Sequence, residues 1–494
     1  MDRRINTAGP QASARRLTLN VVAMVLGKMA AVVIGLATIA LLTRYLGPEG
    51  FGHYRTVLTV LAVAAICSDL GLQMVVLREV SRPDQDAGHV LGAGIALRMI
   101  LTSLAVIGGG IAALLLPNPE LVKIGVFIAA PYYIMLQSSF LLGAFFLKHL
   151  RQDQLMAGEV LGGVVMLGGL GLAVLLDWGV LGTLVAMVAG GLAQFALLWL
   201  WAQRLEPFAL AIAPGTWRFL LLTGLPIAGS EIALMVILRG DILLLSILDS
   251  ATAVGLYGVP SKIFEILGSL ATLFAGMMMP LFVTALAAKG ADRLAETLGH
   301  SLDVMLIFGG GVVACCLAFS REIVALVAGD AFAAAAPTLI LIAAASAGHG
   351  LAQIYRHLLT AMNKAELAMR VDVVGMVAAI ILYVTLIRGY SQVGAGIATA
   401  LVECGLALGL AWMLAREGVG GVLPRSWIKV TIVALVTAYA MRWLNGQGLH
   451  WLLTLPLGGI GYLGLLVIAG AIPIAYLRRV LRKDAPIEDA ATGA

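Results

Sequence analysis

The chain has 494 residues, of which 61% are hydrophobic and only 12% charged, and its mean hydropathy is +1.00. That balance excludes a water-soluble enzyme or binding module as the bulk of the molecule, because most of the chain needs lipid as its solvent. The net charge of +5 does not point to nucleic acid, since the Lys and Arg residues are scattered through short connections and the two tails, with no separate basic domain.

The apolar runs are continuous, not alternating, so they read as helices and exclude a β-barrel. Hydropathy predicts an all-α integral membrane protein with about fourteen spans, at 17–42, 52–76, 88–116, 122–147, 155–176, 179–202, 218–248, 258–286, 300–319, 333–360, 368–387, 393–415, 428–443 and 451–477. The first run exceeds a signal-peptide core of about 7 to 15 residues and has no small-residue cleavage site, so it is expected to remain as a helix. Cys67, Cys315, Cys316 and Cys404 all fall in apolar runs and are expected to pack, not to form disulfides or hold metal.

An even number of spans puts both tails on one side. Most of the 32 Lys and Arg residues then share that side, while Arg44, Arg55, Lys123, Arg321, Arg388 and Arg442 face the other. The positive-inside rule makes the first side cytoplasmic. All eight Trp residues fall near predicted span ends, where indole prefers to sit: Trp199, Trp201, Trp217, Trp412 and Trp427 inside, Trp178, Trp443 and Trp451 outside.

In chain order, the first span carries Lys28. Gly47-Pro48 ends that span and turns the chain, since proline lacks a donor and glycine admits unusual backbone angles. The third span contains Arg98, and the fourth has Tyr133 and Gln137 on one face. Glu159 enters the fifth span, and the seventh holds Glu231, Arg239 and Asp241. Arg239 and Asp241 lie about 200° apart on a helix, so each needs its own partner. In the eighth span, Lys262 and Glu265 are spaced to neutralise each other. The tenth span has the clearest polar stripe: Ser346, His349, Gln353, Arg356 and Thr360 fall within about 80°, as either a wet face or an interhelical hydrogen-bond seam. Asp372 and Glu403 follow in the eleventh and twelfth.

A weak internal repeat runs through this map. Gly52-His53-Tyr54 returns as Gly255-Leu256-Tyr257, and Met156, Glu159, Val160 and Gly162 return as Met369, Asp372, Val373 and Gly375. Both matches set each span opposite the sixth after it. Six is even, so the halves are parallel repeats, with the last two spans as an appendix. The expected organisation is a cytoplasmic tail at 1–16, six-helix bundles at 17–202 and 218–415 joined by a linker at 203–217, two extra helices within 428–477, and a cytoplasmic tail at 478–494.

The segment Thr43-Arg44-Tyr45-Leu46-Gly47-Pro48-Glu49-Gly50-Phe51-Gly52-His53-Tyr54 resembles the opening signature of the polysaccharide biosynthesis and oligosaccharide flippase family, within the multidrug/oligosaccharidyl-lipid/polysaccharide exporter superfamily. Similar to that family are also Ser68-Asp69-Leu70-Gly71-Leu72 with Leu77-Arg78-Glu79-Val80, then Gly224-Leu225-Pro226, and then Arg239-Gly240-Asp241 with Gly255-Leu256-Tyr257. The resemblance implies two bundles around a cavity that opens alternately to either side of a bacterial cytoplasmic membrane. It implies lipid-linked oligosaccharide as substrate, membrane lipid and polysaccharide assembly proteins as partners, and no nucleic acid, cofactor or metal.

A diphosphate-bearing lipid needs cations in a low-dielectric cavity, and arginine can bond phosphate through two N–H groups at once. Lys28, Arg98, Arg239, His349, Gln353 and Arg356 are therefore the expected substrate-binding residues. Buried carboxylates could couple transport to an ion, which singles out Glu231, Asp241 and Glu403. Two other readings compete. Cation-coupled drug efflux uses the same bundles but typically twelve spans. An integral-membrane glycan polymerase or ligase would need a sizeable external loop, and the connections here are short, with no catalytic constellation in them.

Overall fold

The computed structural model describes residues 10–471, apart from 67, 69–70, 83–85, 116–118, 150 and 288–290, and without the side chains of 10–25, 226–232 and 291–292. Among the described residues the regular structure is all helical: α1 (Pro10–Ile66), α2 (Leu72–Val80), α3 (Ala87–Leu115), α4 (Glu120–Lys148), α5 (Gln152–Leu175), α6 (Gly179–Leu205), α7 (Pro214–Leu248), α8 (Ala251–Ala287), α9 (Ala291–Ala328), a 3-10 turn (Asp330–Ala335), α10 (Ala336–Ala361), α11 (Ala365–Arg416), α12 (Trp427–Gly446) and α13 (Trp451–Ile468). Eleven of the described helical segments are long and apolar enough to cross a membrane. The predicted all-α, multi-pass architecture is therefore the observed one.

Two of these helices are double spans. At 1.5 Å per residue, 52 residues would extend about 78 Å, more than twice the ~30 Å hydrocarbon thickness. The chain accordingly breaks inside both long helices. In α1 the break is Gly47, at φ 65° and ψ −178°, with Pro48 directly after it. Glycine takes that left-handed φ without a Cβ penalty, and proline suits the first turn of the helix that follows. In α11 the break is Ser391, at φ 52°. There the chain passes so close to itself that a Cβ on Gly394 would sit 2.0 Å from the Leu386 carbonyl oxygen.

The second span differs from its predicted extent. Hydropathy carried it to residue 76, whereas α1 stops at Ile66 and α2 begins afresh at Leu72, after Gly71 at φ 71°. Cys67, Asp69 and Leu70 lie outside the described residues, as do residues 1–9, the C-terminal tail at 478–494 and the side chain of Glu231, whereas residues 10–16 of the expected N-terminal tail already belong to α1.

The chain forms two compact units. The first comprises residues 1–262, 324–335 and 372–398, and the second 263–323, 336–371 and 399–494. A core of the first packs Leu72, Val76, Leu91 and Ile95 against Leu141, Phe145, Phe146 and Leu198, with Trp217 and Trp199 at its edge. The second has one core around Phe282, Leu298, Tyr355, Leu358 and Leu410, and another where Phe319 meets Val430, Met441 and Tyr462 of the last two helices. In lipid such cores gain chiefly from close packing and interhelical hydrogen bonds. The Tyr462 hydroxyl donates to the Ile307 carbonyl at 2.9 Å, fastening α13 to α9.

Candidate functional site

The family-like segment at residues 43–54 is a pinned turn within the first unit. Arg44 donates to the Leu326 carbonyl at 2.8 Å. The Tyr45 hydroxyl accepts from the Gly179 N–H at 2.8 Å and donates to Asp177 at 3.0 Å, tying the Gly47 break to the turn between α5 and α6. Phe51 meets Phe332 edge-on, with ring centroids 6.0 Å apart.

One turn further on, two backbones meet. A Cβ on Gly52 would lie 1.7 Å from the Ala251 carbonyl oxygen and 3.1 Å from the Gly255 nitrogen. A Cβ on Gly255 would lie 1.8 Å from the Pro48 carbonyl oxygen and 3.2 Å from the Gly52 nitrogen. The two repeat-related glycines thus face each other in a reciprocal backbone-on-backbone crossing of α1 and α8, which any side chain would force apart.

Directly beside this crossing lies a buried ionic cluster. Arg55 is 6% exposed and donates to Ser261 at 3.0 Å. Asp241 is 5% exposed and accepts from the Tyr257 hydroxyl and from the Ile242 N–H, both at 2.7 Å. The expected separation of Arg239 from Asp241 is met here by a distinct partner for the carboxylate, the tyrosine of the repeated Gly-Leu-Tyr. Arg239 is half-buried, and both arginines act electrostatically on Asp241 and on Tyr133. The result is two guanidinium groups acting on one buried carboxylate, which holds the Tyr257 hydroxyl.

Arg98 and the fourth-span pair do a different job. Arg98, 2% exposed, donates to the Ser68 carbonyl at 3.1 Å, and Thr102 donates to the Ser68 hydroxyl at 3.0 Å. Gln137 donates to the Ala65 carbonyl at 3.2 Å, and Tyr133 to the Leu58 carbonyl at 2.8 Å. The last carbonyls of a helix carry partial negative charge and lack intrahelical donors, so a cation and an amide placed there cap the end of α1. The neighbouring Leu77-Arg78-Glu79-Val80 motif is locally ionic: buried Glu79 accepts from Arg78 at 3.0 Å and from Arg82 at 2.9 Å.

In the second unit, the tenth-span stripe is joined to another helix. His349, 6% exposed, lies with Nδ1 3.0 Å from Glu403, itself 2% exposed, and Gln353 meets its Nε2 at 3.1 Å. The structure thus brings together His349, Gln353 and Glu403, with half-buried Arg356 one turn further along the same face. Ser346 and Thr360 turn their hydroxyls back onto their own helix at Ile342 and Arg356. Lys28 sits half-buried on the first half of α1.

Arg55 is the member of the ionic cluster beside the glycine crossing that the sequence did not single out as a site residue. Its position near a span end made it a topology charge, and only the repeat, which sets the segment after Gly52 against the one after Gly255, signalled its place. Among the described residues no cluster of three or more His, Cys, Asp or Glu could hold a metal ion.

Comparison with known proteins matches residues 17–286 to the family described as polysaccharide biosynthesis protein, and residues 226–385 to the MatE family. No curated protein matches the chain in sequence. Among solved structures, one described as lipid II flippase MurJ in an inward closed conformation is similar with a TM-score of 0.73 at 13% identity, over 91% of this chain and 98% of that one. An inward-facing multidrug resistance MATE family transporter follows with a TM-score of 0.58 at 14% identity, over 80% of this chain and 98% of that one. A transporter of the same superfamily from Pyrococcus furiosus has a TM-score of 0.56 at 14% identity, over 83% of this chain and 96% of that one.

Proposed function

Because the chain belongs to the polysaccharide biosynthesis protein family, within the superfamily that also holds the MATE transporters, we propose that it flips a polyprenyl-diphosphate-linked oligosaccharide across a bacterial cytoplasmic membrane by alternating access. The observation that carries this reading is the Arg55, Arg239 and Asp241 cluster beside the glycine crossing. Charged groups at bilayer depth are expensive and mark substrate paths. A cation-rich set suits a diphosphate, for which arginine supplies paired N–H donors.

In this mechanism the crossing at Gly52 and Gly255 is one gate. Diphosphate and glycan enter from the cytoplasmic side, the arginines hold the diphosphate, and the polyprenyl tail stays in lipid. Separation of the crossing then opens the far side. Lys28 in the first unit and Arg356 in the second are further cationic candidates, and Arg98 and Gln137 keep the end of α1 in place. The protein moves its substrate without breaking a covalent bond, and both tails face the cytoplasm.

Depletion of the protein in a strain without paralogues tests the reading. The lipid-linked glycan is expected to accumulate on the inner leaflet, where mass spectrometry identifies its sugars; an unchanged leaflet distribution would reject flipping. Drug-resistance profiling on overexpression separates this function from efflux, which predicts raised resistance to cationic drugs.

A further inference from the structure

The His349–Glu403 pair belongs to the second unit, whereas the cationic cluster belongs to the first, and it has a geometry that a cation holding a diphosphate does not need. Its two ionisable side chains come from different helices, α10 and α11, and are joined directly at 3.0 Å deep in the second unit. Gln353 fixes the other ring nitrogen at 3.1 Å. When the Gln353 amide donates to Nε2, that nitrogen is the acceptor, and the proton of a neutral ring then sits on Nδ1, facing the carboxylate.

We propose that His349 and Glu403, read out by Gln353, form a proton-binding site whose loading is linked to movement of the transported substrate. This rests on the flippase reading and names its coupling ion. With a neutral ring and an ionised carboxylate, the pair carries one negative charge; one added proton makes it an imidazolium–carboxylate pair of zero net charge. Protonated Nε2 becomes a donor, so the Gln353 amide must turn its oxygen toward the ring. The loading state is thereby passed along α10 toward Arg356.

The surroundings favour a proton over a metal ion. On α8, Phe264 packs edge-on against the imidazole with centroids 5.3 Å apart, and a Cβ on Gly268 would lie 3.4 Å from the ring. The charged neighbours of these two residues on α8 are Lys262 and Glu265. From α9, Met305 and Gly309 pack at Gly350 and Ala347. The ionisable groups that flank these residues most closely along α9 are Asp303, which accepts from the Ser426 N–H, then His300, Cys315 and Cys316. On α11 only Cys404 adjoins Glu403, and on α10 Arg356 and His357 follow. A second carboxylate that could complete a metal shell is not gathered there among the described residues.

The site also has a route and a lever. Exposure rises along one face of α10, from buried His349 through half-buried Gln353 and Arg356 to exposed Thr360 in the last turn. Gly348 lets the helices touch at backbone level, since a Cβ there would lie 2.9 Å from the Cys404 nitrogen and 3.0 Å from the Glu403 carbonyl carbon. A changed hydrogen bond at the pair therefore acts where α10 and α11 are closest.

The test uses the full chain in lipid nanodiscs with isotope-labelled histidine, followed by infrared difference spectroscopy across a pH titration, beside glycan export in cells under an imposed pH gradient. Subtracting His349→Gln from the native protein isolates one imidazole. Its titration is expected to be present in the native protein, absent in His349→Gln and displaced in Glu403→Gln, and export by both variants is expected to lose its dependence on the gradient. An imidazole signal that ignores Glu403→Gln, or gradient-dependent export by either variant at native membrane abundance, overturns the proposal. Failure of the flippase reading would look different: no glycan would accumulate on depletion, whatever the histidine spectrum did.

Discussion

The ionic cluster of the first unit and the ionic pair of the second meet the cost of burying charge in opposite ways. Around Asp241, two guanidinium groups act on one carboxylate, which also holds a tyrosine hydroxyl and a backbone N–H. At Glu403 the carboxylate faces one imidazole, which can itself be neutral. The named groups of the first set carry an excess of positive charge, complementary to an anion. Those of the second carry one negative charge when the imidazole is neutral and none when it is protonated. Buried charges need partners in either case, and the sign of the surplus indicates what each region is built to receive.

The contrast can be broken most forcefully at the pair. His349→Ala leaves the Glu403 carboxylate buried without its base, and loss of one partner of a buried pair costs about 3–5 kcal/mol. The variant should melt well below the native protein in detergent, while His349→Gln, which retains a polar partner, should lose much less. Equal melting of native protein and His349→Ala would mean that the pair does not bind α10 to α11.

Next comes the crossing beside the cationic cluster. Gly52→Ala and Gly255→Ala each force backbones apart, at about 1–3 kcal/mol for overpacking. Both act on a single contact, so the double variant should cost less than the two losses added. Full additivity in thermal melts would show the glycines to be independent. Both single variants should also lower export at equal abundance, because the far side then closes poorly.

Smaller effects separate the parts of the cluster. Tyr257→Phe removes the hydroxyl from Asp241, leaving a buried acceptor short of a donor at about 1–3 kcal/mol, and should depress export along with stability. Tyr133→Phe removes a single neutral hydrogen bond to Leu58, with about 0.5–1.5 kcal/mol at stake. It should lower export much less than Tyr257→Phe, since that hydroxyl is held by the Leu58 carbonyl inside α1 and not by Asp241. Equal loss of export in Tyr133→Phe and Tyr257→Phe would show that the hydrogen bond to Asp241 is not what the cluster depends on.

Most of the helical plan was legible because hydropathy and helix length obey the same bilayer thickness. The Gly47 break could be read from a Gly-Pro pair whose backbone preferences permit little else. Ser391 could not, for a serine with positive φ gives no warning, and tertiary fold-back imposes it. The end of α1 was overrun because Ser68 to Gly71 sits amid apolar sequence, where hydropathy continues although the backbone turns. Among the site residues, a helical wheel grouped His349 with Gln353 correctly, since both belong to one helix. It had no access to Glu403, whose partnership depends on how two helices meet. Arg98 illustrates the converse: its burial was foreseeable, but its partner is a carbonyl, and backbone acceptors leave no trace in residue identity.

The reciprocal contact of Gly52 with Gly255 also constrains how this molecule can vary. At most packed positions a larger residue on one side can be offset by a smaller one opposite. Here each added carbon would meet main chain, not side chain, and the residue opposite is already the smallest there is. Neither position can rescue a change at the other, so α1 and α8 are tied together at the point where each has nothing left to give.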